Sequence, residues 1–405
     1  MRKQQWLLAI AVLLTFVCAG AGYFLWYNPQ DKASPRKDIE IVTLTIWVYS
    51  KEWSQLLTDF QRKNPQISMD IRTFRSSEQL LNELVAAVSA NTGPQLAEVH
   101  SFYGITQLAD SEAIVPLENW VDSSLIVPAF SAPFQYKGHE WAVPLGGSLP
   151  VLFYKEDLSK REVMEPRVYA GWDEVIEAAE RMIKDSGNGA EEKNGLAIDT
   201  ELPWYFENLY YNPADQKEWE TAGPALALWE DWVHRRKVME PLNHHMAASK
   251  FINGRVGFFV SSSDKLPIVE RYVGGKFVFR MSDFPPLTGQ GIVPKVDGMV
   301  VLKSDSTKEK AEQAFIRYMM EDQTQMNIWR NMGIVPSRIE TIGKLREGNT
   351  DPQRKRLLDA ALLLRAKFPS PMDSIRWKKR NEVLEQLELL PGRPLTEWEQ
   401  KMVIP

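Results

Sequence analysis

Strand-like and helix-like hydrophobic patterns alternate through the first part of the chain, and this order restricts the fold more than any other feature. Every second residue from Val42 to Val48 is apolar, as in a half-buried strand. From Trp53 to Phe60 apolar residues recur at the spacing of an amphipathic helix, which ends at Asn64-Pro65. Another strand, helix and strand follow at 67–71, 80–88 and 96–99. Helices between strands indicate βαβ units, so the sequence predicts an α/β fold with a parallel sheet.

Polar and aromatic residues follow two of these predicted strands. Tyr49 and Ser50 come directly after the first strand, and His100, Ser101 and Phe102 come directly after the third. In open α/β sheets ligands bind beyond the carboxyl ends of the strands, so these residues are candidate ligand contacts. No Gly-x-Gly-x-x-Gly sequence follows a strand, so a dinucleotide cofactor is not indicated.

Composition excludes several classes of function. The 405 residues are too many for one ordinary domain but fit two large ones. The net charge of −5 becomes −7 when the five basic and three acidic residues of 1–40 are left out. The rest of the chain is therefore acidic, whereas a nucleic-acid-binding protein is expected to be basic. The single cysteine, Cys18, excludes a disulfide framework and a thiolate metal site. We predict that the adjacent His244 and His245 lie at the surface, and we expect no metal and no cofactor.

Residues 1–27 contain an apolar run of 22 uncharged residues, Trp6 to Tyr27, preceded by two basic residues. At about 1.5 Å per residue, a helix of this length spans a hydrocarbon core of about 30 Å. The segment is either a signal peptide cleaved near Ala19-Gly20-Ala21 or an uncleaved anchor that ends in aromatic residues, and we favour the anchor. A lipidated Cys18 is a third alternative, disfavoured by the bulky Phe16 and Val17 before it.

A polar, proline-containing stretch at 28–40 is predicted to be a linker. All three alternatives for the N-terminal segment place the body of the chain outside the cytoplasm. It is then tethered to the outer face of the cell membrane, or secreted after cleavage.

Five aromatic residues lie within eight positions of the chain, and they do not form one helical stripe. They are Trp204, Tyr205, Phe206, Tyr210 and Tyr211. Flat apolar ring faces with polar tips suit a ligand that is apolar on its faces and rich in hydroxyls at its edge, as a pyranose is. The alternative is that these rings pack a lobe core or an interface. We assign binding to the first two rings and packing to the two tyrosines at 210 and 211.

The later part of the chain continues the mixed pattern. Two short strands, at 140–143 and 151–154, flank a predicted turn at 144–147. A helix is expected at 172–184, and a second at 225–233 whose Trp229 and Trp232 have the spacing of core residues. The remaining predictions are a strand at 256–260 that ends in Ser261–Asp264, a loop with Asp297-Gly298 before a strand at 299–302, and helices at 307–331 and beyond 351.

Several short motifs, in order along the chain, resemble those of the bacterial extracellular solute-binding proteins of the sugar-binding type, the family of maltose-binding protein. Gly93–Val99 resembles the family's small-Pro-Asp-Ile strand, with Gln95 in place of Asp. Phe251–Val256 resembles its Phe-x-Asn-Gly-Lys-Val motif, and Gly333–Arg338 its Gly-Tyr-Leu-Pro-Val-Arg motif. The resemblance implies two α/β lobes joined by a hinge, the periplasmic-binding-protein-like fold of type II, closing on a ligand. It also implies a monomer that delivers the ligand to the permease subunits of an ABC importer.

The resemblance also predicts where the chain crosses between lobes. Lobe I comprises 41–148 and 290–337, and lobe II comprises 149–289 and 338–405. Closure of the lobes around a small-molecule ligand, here a mono- or oligosaccharide, would bury that ligand between them.

The family pattern implies further contacts. An aromatic stretch after a Glu-x-Pro-like turn contacts sugar, which implies stacking by Trp204 and Tyr205 and hydroxyl binding by Glu201. Trp377 resembles a stacking tryptophan late in the family's chain. Asp264 lies where a sugar-binding homologue often has tryptophan, which suggests a more polar contact, and Asp297 lies in the predicted return loop.

Three other functions remain open. An enzyme, such as a glycosidase, would need two carboxylates at a set separation. Glu98, Glu201, Asp264 and Asp297 could converge, but no motif pairs them, and we predict no catalytic residues. A membrane-tethered sensor that reports to a signalling partner is the second alternative. A binder of glycerol phosphate or a polyol is the third, and the lack of an Arg or Lys cluster at the strand ends argues against a phosphate.

Overall fold

The computed structural model describes residues 41–50, 52–156, 169–185, 194–210, 222–285, 287, 291–304 and 307–402. The predictions for Trp6 to Tyr27, Cys18, the linker and Tyr211 lie outside these ranges. Within them, no helix is both long enough and apolar enough to cross a membrane.

The first sheet has six strands in the described part of the chain. These are β1 (Val42–Val48), β2 (Ile67–Thr73), β3 (Leu96–His100), β6 (Val143–Ser148), β11 (Lys295–Val301) and β12 (Val335–Pro336), in the order β12-β6-β11-β3-β1-β2. β1 pairs in parallel with both β2 and β3, which confirms the predicted βαβ units. β11 runs antiparallel to β3, with Asp297 opposite His100.

The helices between the first strands form for the reasons that the sequence indicates. Helix α1 (Trp53–Lys63) buries its apolar stripe and ends at Asn64, one residue before a proline that cannot continue the hydrogen-bond ladder. Helix α2 (Ser77–Ser89) begins at Ser76, whose hydroxyl accepts a hydrogen bond from the backbone N–H of Gln79. Both helices return the chain to the amino end of the next parallel strand.

The second sheet has four described strands. They are β7 (Pro150–Lys155), β8 (Leu196–Ile198), β9 (Phe258–Ser262) and β10 (Phe279–Asp283), in the order β10-β7-β9-β8. β8 and β9 are parallel, so their carboxyl ends share one edge of the sheet. A separate hairpin pairs β4 (Gln135–Tyr136) with β5 (His139–Glu140).

The remaining helices lie between and after these strands. Their bounds are α3 (Ile105–Asp110), α4 (Pro128–Ser131), α5 (Trp172–Asp185), α6 (Leu202–Tyr210), α7 (Gly223–Glu230), α8 (Ala247–Ile252), α9 (Leu266–Val273), α10 (Glu309–Met319), α11 (Asp322–Met332), α12 (Ile339–Gly348), α13 (Pro352–Ala361), α14 (Asp373–Leu389) and α15 (Leu395–Met402). The predicted helices at 172–184 and 307–331 and in the tail are therefore confirmed.

Three buried clusters fill the space between these layers. One packs α1 and α10 against the first sheet. A second lies between the second sheet and helices α6, α7, α14 and α15, and it holds Trp229 and Trp232 as predicted. The third contains Trp47 and Ala97 of the first sheet and Phe153 and Phe259 of the second. The two sheets therefore share a continuous apolar core.

Glycine was misread at two places. Residues 144–147 do not turn: they lie inside β6, and Asp297-Gly298 lies inside β11, not in a loop before it. A Cβ on Gly147 would lie 2.2 Å from the ring of Phe130, and one on Gly298 would lie 2.7 Å from the ring of Phe134. These glycines allow aromatic rings to pack against a strand, which gives the same sequence signal as a turn.

Two other predictions are wrong. β9 continues through Ser262, so Ser261 and Ser262 belong to the strand and do not follow it. His244 is buried, whereas His245 is exposed as predicted. His244 is buried because its ring nitrogens lie 2.9 Å from the carbonyl oxygen of Ile198 and 3.0 Å from the carboxylate of Glu388.

Candidate functional site

Polar side chains collect at one edge of the first sheet. Tyr49 directly follows β1 there, β3 ends there with His100, and the antiparallel β11 begins there with Lys295. Asp297 pairs with His100 across β3 and β11, so residues almost 200 positions apart in sequence become neighbours. The site is therefore built from carboxyl ends of parallel strands, as predicted, and from the amino end of one antiparallel strand.

A hydrogen-bond network around Glu98 holds the end of β1. The fully buried carboxylate accepts hydrogen bonds from the backbone N–H groups of Tyr49, at 2.8 Å, and Ser50, at 3.0 Å, and from the Ser50 hydroxyl. The hydroxyl of Tyr49 donates to Asp297. Burial, reinforced by the charge of Asp297, raises the pKa of Glu98 to about 7. Burial also raises the pKa of Asp297 to about 6, although Lys295 opposes that shift.

Ser50 and Ser101 use their hydroxyls inside this part of the fold. Trp53 donates its indole N–H to the Ser50 hydroxyl at 2.8 Å. The backbone N–H of Val296 donates to the Ser101 hydroxyl at 3.0 Å, and the N–H of Ser101 donates to the carbonyl of Val296. Both serines thus align the strand ends that carry Tyr49 and His100.

His100 presents one ring nitrogen that has no partner in the described part of the chain. The backbone N–H of Phe102 donates to its Nδ1 at 3.2 Å, so the proton of the neutral ring lies on Nε2. Nε2 is buried, makes no hydrogen bond among the described residues and lies 3.9 Å from Oε1 of Glu201. Burial, together with the nearby Lys295, holds the pKa of His100 well below its usual range. His100 is therefore a neutral donor directed towards Glu201.

The matching edge of the second sheet is also polar. Ser261 near the end of β9 donates its hydroxyl to Asp199, one residue past β8, at 2.7 Å. Asp264 lies in the short turn after β9, and its Oδ1 is buried without a hydrogen-bond partner among the described residues. Burial favours the neutral acid, but the ammonium groups of Lys295 and Lys265 outweigh it and lower the pKa of Asp264 to about 2.

Lys295 joins the two edges, and the sequence analysis missed it. Its Nζ lies 2.9 Å from Oε2 of Glu201, and its side chain is 9% exposed. Burial disfavours its charge, but the carboxylates of Asp264, Glu201 and Asp297 outweigh this effect and raise its pKa. A buried lysine within an apolar strand would have indicated this site in the sequence. Lys295 was not recognised as such because the predicted strand began at residue 299, four residues after the observed start of β11.

Trp204 and Tyr205 lie at this junction but are fully enclosed. The indole of Trp204 is 0% exposed and donates to the carbonyl oxygen of Val293 at 2.8 Å, on the segment that leads into β11. Lys295 lies 5.5 Å from the centre of the Trp204 ring. Tyr205 is 1% exposed, and its hydroxyl lies near that of Ser261 without forming a hydrogen bond of normal geometry among the described residues. Tyr210 is buried in the same cluster, in agreement with its predicted packing role.

An aromatic group closes one side of the site. The ring of Trp377, on α14, has its centre 5.5 Å from that of His100, 5.3 Å from that of Phe102 and 5.3 Å from that of Tyr103. Phe102 belongs by contact to the buried cluster of the second sheet, although it follows a strand of the first. These rings therefore join α14 to the end of β3 beside the polar groups.

The described part of the chain contains no group of three or more His, Cys, Asp or Glu side chains arranged to hold a metal ion. The predicted positions that converge are Tyr49, His100, Phe102, Glu201, Trp204, Tyr205, Asp264, Asp297 and Trp377, linked through Lys295. Such an arrangement can bind hydroxyls and charge.

A family model of bacterial extracellular solute-binding proteins matches residues 55–342, more than half of the chain. The chain belongs to this family. The family prediction is thereby confirmed, and the proteins of the family bind substrates without transforming them. A relative, the sn-glycerol-3-phosphate-binding periplasmic protein UgpB of Escherichia coli, is 27% identical over 142 residues. That alignment covers 31% of this chain and 32% of the relative.

Solved structures show the fold of this solute-binding protein. The GacH receptor of Streptomyces glaucescens, solved unliganded and with acarbose, matches with a TM-score of 0.76 at 18% identity, over 89% of this chain and 96% of the receptor. UgpB of Mycobacterium tuberculosis, solved with glycerophosphocholine, matches with a TM-score of 0.72 at 16% identity, over 89% and 96% of the two chains. The predicted fold of two α/β lobes joined by a hinge, that of the periplasmic binding proteins, is confirmed. The lobe boundaries and the ligand contacts stay predictions.

Proposed function

We propose that this extracellular solute-binding protein binds a carbohydrate between its two lobes and delivers it to an ATP-driven membrane importer. The observation that carries the proposal is the convergence, from both sheets, of buried polar atoms without partners among the described residues. His100 Nε2 supplies a donor, Asp264 Oδ1 an acceptor, and the Tyr205 hydroxyl can serve as either. Unsatisfied buried polar groups are costly, and a ligand rich in hydroxyls would satisfy all three at once.

We take lobe I to be 41–148 with 290–337 and lobe II to be 149–289 with 338–405. The strands of the first sheet all lie within the first set of ranges, and those of the second sheet within the second. On this division, His100, Phe102 and Lys295 belong to lobe I, and Glu201, Asp264 and Trp377 to lobe II. The contacts Lys295–Glu201 and Phe102–Trp377 are then contacts between lobes, which is the geometry of a closed cleft.

Trp204 fits a positioning role in this closed form. Its indole N–H bonds to Val293 near the proposed lobe crossing, and both ring faces are enclosed. Stacking on a sugar would require the ring to become accessible when the lobes separate. Glu201, whose Oε1 lies 3.9 Å from His100 Nε2, and Asp264, whose Oδ1 has no partner among the described residues, are the better candidates for direct hydroxyl contacts in the closed form.

Two alternatives remain for the role and the ligand. A tethered sensor would use the same cleft but report to a membrane kinase, and neighbouring genes for two permeases or for a histidine kinase distinguish these roles. A glycerol-phosphate ester is suggested by the two UgpB relatives. The carboxylates around Lys295 disfavour a dianionic phosphate there, because like charges in a buried site repel strongly.

A thermal-shift screen of the full-length protein against mono- and oligosaccharides tests the proposal. The screen should use a sugar-free detergent, since the glucoside and maltoside detergents carry competing sugars. A ligand at 100 times its Kd is expected to add about 2.7 kcal/mol to the free energy of unfolding. Glycerol 3-phosphate and glycerophosphocholine form the comparison set. Stabilisation by these esters and by no saccharide would overturn the proposal.

A further inference from the structure

The charges around the site do not balance. Five carboxylates surround it: Glu98, Asp199, Glu201, Asp264 and Asp297. Among the described residues, the ammonium groups that interact with this set are Lys295 and Lys265. Lys367, which lies 5.2 Å from the centre of the Phe102 ring, is held by the buried Glu207 together with Arg380. Negative charge therefore exceeds positive charge at the centre of the junction.

Two of these carboxylates have raised pKa values, and burial is the largest cause for both. The pKa of Glu98 is raised to about 7 by burial and by Asp297, and burial raises that of Asp297 to about 6 in spite of Lys295. Uncompensated negative charge is costly in a buried site, and a cation in the site relieves it. The neighbouring lysines supply only part of that relief.

The same junction contains a donor as well as acceptors. Oε2 of Glu201 is bonded to Lys295, while its Oε1 lies 3.9 Å from His100 Nε2, beyond hydrogen-bond distance. Oδ1 of Asp264 has no partner in the described ranges. A cationic donor suits the two carboxylate oxygens, whereas the neutral N–H of His100 requires an acceptor on the ligand. A simple polyamine has no such acceptor, and a neutral sugar has no charge.

From these two requirements we infer that the cleft ligand is an amino sugar, a carbohydrate whose protonated amine is bound by Glu201 and Asp264 while a ring or hydroxyl oxygen accepts from His100. The inference rests on the proposed function and narrows its substrate class. The aromatic rings of Phe102 and Trp377, which lie beside His100, provide an apolar wall for the faces of the sugar ring.

Calorimetry with matched sugars tests the charge requirement. Glucosamine, galactosamine and the dimer of glucosamine are compared with their N-acetylated forms and with glucose, galactose and cellobiose. The N-acetyl group keeps the ring and removes the charge. The full-length protein in sugar-free detergent is expected to bind at least one amine about tenfold or more tightly than its neutral counterparts.

Two variants separate the charge from the shape of the site. Glu201→Gln and Asp264→Asn keep the size of each side chain and are each expected to weaken the amine about tenfold, with less effect on a neutral sugar. Glu118→Gln is the matched control, because Glu118 pairs with His139 on the exposed surface and makes no contact that the cleft argument uses. Circular dichroism of each variant establishes that it has folded.

The outcomes distinguish this inference from the proposed function. The inference is overturned if a neutral sugar binds as tightly as the corresponding amino sugar. It is also overturned if an amino sugar binds Glu201→Gln and Asp264→Asn with the affinity that it has for the wild type. Either result leaves carbohydrate binding intact. Binding of glycerol 3-phosphate or glycerophosphocholine with no sugar bound overturns both. The inference is established if the wild type and Glu118→Gln prefer an amino sugar to its neutral counterpart, and both Glu201→Gln and Asp264→Asn lose this preference.

Discussion

Replacement of Trp377 by alanine tests the closed cleft most directly. Its ring lies 5.3–5.5 Å, centre to centre, from those of His100, Phe102 and Tyr103. An aromatic pair contributes about 0.5–1.5 kcal/mol beyond its buried area, so three pairs in a partly exposed setting contribute about 2 kcal/mol. These contacts join residues that we assign to different lobes. The variant should therefore lose this free energy from the closed state alone.

A loss of about 2 kcal/mol weakens the affinity for any ligand that requires closure by up to about 30-fold, and by less where the unliganded wild type is already partly closed. Calorimetry with the saccharide found in the thermal-shift screen measures this change. Small-angle scattering of the unliganded Trp377→Ala variant should show a larger radius of gyration than the wild type, because the open form gains population. This second measurement separates closure from direct contact between Trp377 and the ligand.

Trp141→Ala is the control for loss of a tryptophan outside the cleft. The indole N–H of Trp141 donates to the carbonyl of Tyr136 at 2.9 Å, within the range assigned to lobe I. Its replacement should leave the affinity and the radius of gyration unchanged. The reasoning is refuted if Trp377→Ala binds within about threefold of the wild type and scatters identically.

Three further predictions concern stability and closure. Trp204→Ala should lower the free energy of unfolding by about 3–5 kcal/mol in denaturant titrations, because it empties a fully buried site; a change below about 1 kcal/mol contradicts that packing role. Burial opposes protonation of His244, but the carboxylate of Glu388 outweighs burial and raises the pKa of His244 above 6.5. The hydrogen-bonded imidazolium therefore stabilises the fold fully below pH 6.5. This stabilisation is lost as the pH rises through the higher pKa of the folded state. His244→Ala should therefore cost about 2 kcal/mol at pH 6 and less at pH 9, and a pH-independent cost refutes the ion pair. In Gly333→Ala, the new Cβ would lie 2.8 Å from the backbone oxygen of Asp264, at a residue whose φ is 70°. We therefore expect the free energy of unfolding to fall by about 1–2 kcal/mol and ligand binding to weaken in calorimetry. Unchanged affinity would argue against closure at this contact.

Local sequence patterns predicted the secondary structure correctly wherever the spacing of hydrophobic residues follows directly from which face of the element is buried. The strand from Val42 to Val48 and the helix from Trp53 to Lys63 agree closely with their predicted limits. Trp229 and Trp232 are fully buried, as their helical spacing indicates. These elements bury one face against a neighbour within the same lobe, and the alternation of apolar and polar residues records that face.

Local patterns failed where a residue's role depends on a distant partner. Gly147 and Gly298 looked like turn residues but make room for the rings of Phe130 and Phe134. His244 looked like a surface residue because Glu388, its partner, lies 144 positions away. No periodicity within either segment contains this information.

The α/β class, the βαβ order, the family resemblance and the strand ends that carry the candidate site could all be read from the sequence, because short-range spacing encodes each of these. Only the tertiary structure placed Lys295 against Glu201, His100 against Trp377, and five carboxylates around two lysines. The partners in these contacts come from segments far apart in the chain. Their burial and their short mutual distances arise only when the strand ends of both sheets come together in the folded chain.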